Sequence, residues 1–127
     1  MTQRSVLDLK AFVPARNFAL SRQFYLELGF SEKWGNEQAC ELQIGDFRIL
    51  LQNFYVKDHA ENFMMHLMVE NADEWWEHIR NLGLAEKYSL GMAKPPTLQP
   101  WGLRVLYLTD PTGVLWHIAD RRTSSNQ

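Results

Sequence analysis

Residues 17–29 read Asn-Phe-Ala-Leu-Ser-Arg-Gln-Phe-Tyr-Leu-Glu-Leu-Gly, and residues 71–83 read Asn-Ala-Asp-Glu-Trp-Trp-Glu-His-Ile-Arg-Asn-Leu-Gly. Each stretch opens on an Asn, whose side-chain carbonyl suits the free N–H groups of a first helical turn. In the first, Leu20, Phe24 and Leu28 recur at helical spacing with Tyr25 beside them. In the second, Ala72, Trp75, Ile79 and Leu82 do the same. Each closes on a glycine, Gly29 or Gly83, the residue that most easily takes the conformation ending a helix. A single offset of 54 carries Asn17 to Asn71, Leu28 to Leu82 and Gly29 to Gly83. The same element is therefore built twice, and the chain contains an internal repeat near half its length.

Strands flank both helices. Residues 6–14 alternate in two sets, Leu9, Ala11 and Val13 against Lys10, Phe12 and Pro14. After Gly29 come three strand-like runs, 30–34, 39–43 and 47–54, punctuated by Gly35-Asn36 and Gly45-Asp46. The order then restarts with a strand at 63–69 before the second helix. Residues 86–100 hold Pro95, Pro96, Pro100 and Gly91 and read as a long loop. Two strands, 104–109 and 114–119, enclose Asp110-Pro111-Thr112-Gly113, with Pro and Gly where a tight turn wants them.

Composition excludes several classes. At 127 residues the chain makes one domain, 1–127, and buries enough surface to fold without a disulfide or metal staple. Its 46% hydrophobic and 22% charged residues argue against wholesale disorder. A net charge of −2 and a pI near 6.1, with no basic block longer than Arg121-Arg122, argue against a nucleic-acid partner. No apolar run approaches a membrane span or a secretory signal, and the single Cys40 has no internal partner. These features point to a cytoplasmic protein. Aromatics at 13% exceed what a core alone needs, so part of them is expected to line a pocket.

Three segments carry a family resemblance: Phe24-Tyr25-Leu26-Glu27-Leu28-Gly29-Phe30, Val69-Glu70-Asn71-Ala72-Asp73-Glu74, and Trp101-Gly102-Leu103-Arg104 leading to Asp110-Pro111-Thr112-Gly113. In this order they resemble the vicinal oxygen chelate superfamily, also called the glyoxalase/bleomycin-resistance/dioxygenase family, over residues 6–120. The resemblance implies an α+β fold of two pseudo-repeated βαβββ modules, about 6–56 and 62–120, followed by a frayed tail, 121–127. It implies cavities walled by curled sheets, and a homodimer with sites between modules or between chains.

Fold alone does not decide function in such a family. Metal-dependent members place His, Gln or Glu ligands on the first and last strands of both modules. The corresponding positions here are Lys10, the apolar run Ile49-Leu50-Leu51, Met64 and His117. A charged ammonium has no lone pair to give, and a thioether suits copper(I) better than zinc, iron or nickel. Only His117 is an ordinary ligand. His66 lies two residues after Met64 and so on the same strand face. A shifted pair of His66 and His117 is thus the metal-dependent alternative, with a third ligand needed from His59, Glu41 or Gln52.

The leading expectation is a small-molecule binding protein of bleomycin-resistance character, sequestering its ligand without a cofactor and without a catalytic residue. The alternative is a lyase or dioxygenase using a divalent metal at His66 and His117. Strand alternation supplies the expected ligand-binding residues: Lys10, Phe12, Arg48, Leu50, Met64, His66 and His117, joined by the loop-side Trp34, Trp101 and Arg104. Lys10 and Arg48 would suit an anionic or carbonyl-bearing ligand, and the tryptophans a planar one.

Overall fold

The computed structural model describes residues 4–122. Its first module runs β1 (Phe12–Pro14), α1 (Phe18–Leu28), β2 (Ser31–Gly35), β3 (Ala39–Ile44) and β4 (Phe47–Gln52). A short helix, α2 (Lys57–Glu61), leads to the second module. There the order is β5 (Met64–Met68), α3 (Ala72–Asn81), α4 (Leu84–Lys87), β6 (Ala93–Leu98), β7 (Arg104–Thr109) and β8 (Leu115–Asp120). Both four-stranded sheets use one topology, β1-β4-β3-β2 and β5-β8-β7-β6. In each, the first strand runs parallel to the last and all other pairings are antiparallel. The fold is thus α+β with two βαβββ modules, as the resemblance implies.

The helix signals act as read. Asn17 Oδ1 accepts the Leu20 N–H at 3.2 Å, and Asn71 Oδ1 accepts from Asp73 and Glu74 at 3.0 and 3.3 Å. Gly29 at φ +136° and Gly83 at φ +60° take conformations that a Cβ would strain. The apolar stripes bury Phe24, Tyr25, Leu28, Ala72 and Ile79, while Leu20 and Leu82 at the stripe ends stay exposed.

Three expectations are corrected. The strand at 6–14 shrinks to Phe12–Pro14, because only there and at Ala11, whose carbonyl accepts from Leu50 N–H, does it meet β4. Alternation alone cannot make a strand without a ladder partner. The stretch 86–100 is no loop: it holds the end of α4 and all of β6. Pro95 and Pro96 sit where the β6–β7 register shifts, on an edge strand that tolerates missing donors. The tail at 121–127 is anchored at its start. Arg122 bonds the side chains of Asp120, Asn71 and Asp73, whereas 123–127 lie outside the described residues.

One core joins the modules. Tyr25 and Phe30 of the first pack edge-on and tilted against Trp116 of the second, with ring centroids 5.7 and 5.8 Å away. Polar bonds fix the same seam. Tyr25 Oη donates to Asp110 Oδ2 at 2.6 Å and accepts from Trp116 Nε1 at 2.8 Å. Asp110 Oδ1 accepts the N–H groups of Thr112, Gly113 and Val114 at 2.8–2.9 Å. Burial pushes both the Asp110 carboxyl and the Tyr25 phenol above their ordinary ranges. No helix among the described residues is long and apolar enough to cross a membrane.

Candidate functional site

Each sheet turns one face to its helix and leaves the other open. In the first module, Val13, Cys40, Leu42, Ile49 and Leu51 fill the helix side. The cross-strand register puts Phe12, Leu50 and Glu41 in one row of the opposite face, with Trp34 paired to Glu41. In the second, Met65, Leu67, Trp116 and Ile118 pack inward. Met64 pairs with Leu115, His66 with His117, and Met68 with Ala119 on the open face. Tyr107 stands beside His117 and Lys94 beside Tyr107.

The expected ligand-binding residues therefore fall on two surfaces. Phe12, Trp34, Met64 and Trp101 are 54%, 47%, 64% and 59% exposed, an unusual amount of apolar side chain left in water. A cleft of about 310 Å³ lies between the modules, lined mainly by Phe30, Ile44, Phe47, Ile49, Met65 and Trp116. Of the ten expected residues, only Arg48 and His66 reach it. Trp101 sits in the β6–β7 turn beside Gly102, whose φ of +92° that turn requires.

Two cations do not have the roles expected of them. Arg104 is 4% exposed and lies on the helix side of its sheet, in bidentate contact with Asp73 at 3.0 Å and 3.7 Å from Asp120. It ties the start of α3 to β7 and β8, a structural role. Lys10 reaches the open face but is claimed there. Its Nζ is 2.8 Å from Glu41 Oε1 and 2.9 Å from Asp8 Oδ2. Glu41 above all, then Asp8, holds the ammonium above its ordinary range, and Lys10 in turn holds the Glu41 carboxyl below. Trp34 also hydrogen-bonds Glu41. Arg48 pairs with Asp8 at 3.1 Å. Neither cation offers a free charge to an anion. The period-two alternation that put Lys10 on this face also holds for Glu41, two strands away, and could have revealed the pair.

The four positions that the resemblance singles out thus carry the locked ammonium of Lys10, just outside β1, the aliphatic Leu50, the thioether of Met64 and the imidazole of His117. That donor set does not suit a hard or borderline divalent ion. Nor do the helpers converge. Glu41 is engaged with Lys10, and His59 on α2 packs against Phe63 with ring centroids 5.3 Å apart. No cluster of three His, Cys, Asp or Glu exists among the described residues. Cys40 is buried in the core, its thiol pushed up to about 11 by desolvation, which suits packing and not nucleophilic attack.

Residues 9–118 match the family model of the glyoxalase/bleomycin resistance protein/dioxygenase superfamily, and the chain belongs to that superfamily. Among solved structures it is similar to a bleomycin-binding protein complexed with bleomycin, at 25% identity and a TM-score of 0.75, covering 92% of this chain and 100% of that one. It also resembles the bleomycin resistance determinant encoded on the transposon Tn5, at 22% identity and a TM-score of 0.74, covering 91% and 99%. A lactoylglutathione lyase from Agrobacterium tumefaciens shares the fold at 13% identity and a TM-score of 0.66, covering 92% and 96%. No curated protein matches by sequence.

Proposed function

We propose that this protein binds and sequesters a small molecule of the bleomycin type, one that offers a planar group for stacking, without a resident cofactor. The observation that carries the reading is the 25% identity, over nearly the whole of both chains, to a protein that binds bleomycin. The open sheet faces add support. They present aromatic and thioether side chains, surfaces that gain by covering a flat ligand. Trp101 and Trp34 are the stacking groups, and the Lys10–Glu41–Asp8–Arg48 network supplies polar contacts of both signs.

The protein acts as a homodimer in this reading. Val6, Leu7 and Leu9 stand 82%, 99% and 90% exposed beside the exposed Phe12. A second copy would cover this surface and close the site. A cytoplasmic setting agrees with a single, buried Cys40 that has no internal disulfide partner.

The test is a titration with metal-free bleomycin, read by tryptophan fluorescence. Saturable quenching at one site per chain supports the reading, and its loss in Trp101→Ala assigns the stacking role. A flat titration would reject it. The metal-dependent lyase alternative has one observation in its favour, the register pairing of His66 with His117. It lacks the third oxygen or nitrogen donor that a divalent ion needs beside these two imidazoles.

A further inference from the structure

We propose that Met64, His66, Met68 and His117 form a binding site for a soft monovalent cation, copper(I) above all. The site shares the open face of the β5–β8 sheet with the ligand proposed above, but its affinity for the ion does not depend on that ligand.

The argument starts from strand geometry. Met64, His66 and Met68 alternate along β5, so their side chains rise from one face, roughly 6.6–6.8 Å apart in sequence along the strand. His117 of β8 is the register partner of His66. Their ring centroids are 6.1 Å apart. An imidazole bound through nitrogen places a metal about 3.2 Å from its own centroid, given a metal–nitrogen bond of about 2.0–2.1 Å. Two rings gripping one ion from opposite sides therefore have centroids a little over 6 Å apart, the separation found here. The rings are tilted 39° to one another, so binding requires them to turn toward the ion. The methionines flank this pair, and each thioether swings on three rotatable bonds across half the strand spacing. Opposite Met68 is the small Ala119, which with Val105 is fully buried, whereas the Met64 and His66 end of the face stays exposed.

The chemistry of the face selects the ion. Two imidazoles and two thioethers are nitrogen and soft sulfur donors. The other side chains on this face of the four strands are Leu115, Val105, Tyr107, Thr109, Lys94 and Thr97, with no carboxylate among them. A hard divalent ion would find no anionic oxygen, and the Lys94 ammonium lies in the same cross-strand row as His117 and His66. A monovalent soft ion requires less charge compensation. The edge of Tyr107 packs on His117 with centroids 4.8 Å apart and steadies that ring.

The experiment is anaerobic competition for copper(I) between the full-length protein and bicinchoninate, a coloured copper(I) chelator. The protein is expected to withdraw one equivalent per chain, and zinc(II) offered alone is expected to bind at least about 100-fold more weakly. His66→Ala should weaken copper binding by more than about 100-fold, beyond what loss of a mere outer partner causes. Met64→Leu and Met68→Leu should each weaken it by about tenfold. His66 and Met64 are exposed, so these variants keep the fold, as circular dichroism would check. Cys40→Ser, which removes the chain's one thiol, should leave the affinity unchanged. No copper withdrawn, zinc held as tightly, or copper retained in His66→Ala but lost in Cys40→Ser would each overturn the proposal.

Discussion

Lys10, just ahead of β1, carries an ammonium pinned by two carboxylates. The pairing predicts a pH signature. The Glu41 carboxyl is held below its ordinary range in the fold, so it contributes stability above the unfolded pKa of about 4.5 and loses it as pH falls through the folded value. Urea-unfolding free energies at pH 7 and pH 3 should therefore differ more for the wild type than for Glu41→Gln. Equal differences would remove the ion pair from the account. Asp110 is a second telling residue. Its carboxylate satisfies three backbone N–H groups and the Tyr25 hydroxyl, all but the Gly113 contact buried. Asp110→Ala strands those donors and should cost roughly 3 kcal/mol or more in denaturant unfolding. Trp101 is the opposite case, an indole left in water by the chain itself. Trp101→Ala should leave the unfolding free energy almost unchanged and weaken bleomycin binding by about 2 kcal/mol, near 30-fold.

Among the elements, those legible in the sequence were those stabilised locally. α1 and α3 announce themselves through Asn caps, apolar spacing and glycine stops, and the structure keeps all three. β7 and β8 are legible through their turn, where Asp110 folds back onto its own loop. The elements that were misread depend on distant partners. Residues 6–11 alternate like a strand but find no ladder beyond Ala11. β6 carries two prolines that argue against a strand, yet β7 supplies its partner and a bulge absorbs the missing donors. The site shows the same division. Phe12, Leu50, Met64, His66 and His117 alternate onto the faces turned away from the helices, and Lys10 joins them through Glu41. Alternation could not reveal that Arg104, one residue into β7, points inward to Asp73. Nor could it show that Lys10 is already paired.

For the whole molecule, the repeat sets the economy of the fold. One sheet topology is used twice, and a single aromatic seam of Tyr25, Phe30 and Trp116 welds the copies together. What the chain leaves open is also systematic: Leu7, Leu9, Phe12, Trp34, Met64 and Trp101 are all exposed. Surfaces of this kind are covered by partners or ligands. Light scattering at micromolar concentration should accordingly give about twice the chain mass of 14.9 kDa. A monomer would leave the proposed site with one wall. On the proposed function these faces hold a small molecule and perform no chemistry on it. The decisive measurement is isothermal titration of the untagged, metal-free protein with metal-free bleomycin. The expected result is a saturable isotherm with a Kd of about 1 μM or tighter, one ligand per chain, and intact bleomycin recovered afterwards. No heat of binding up to about 100 μM ligand, or recovery of a chemically altered ligand, would contradict it.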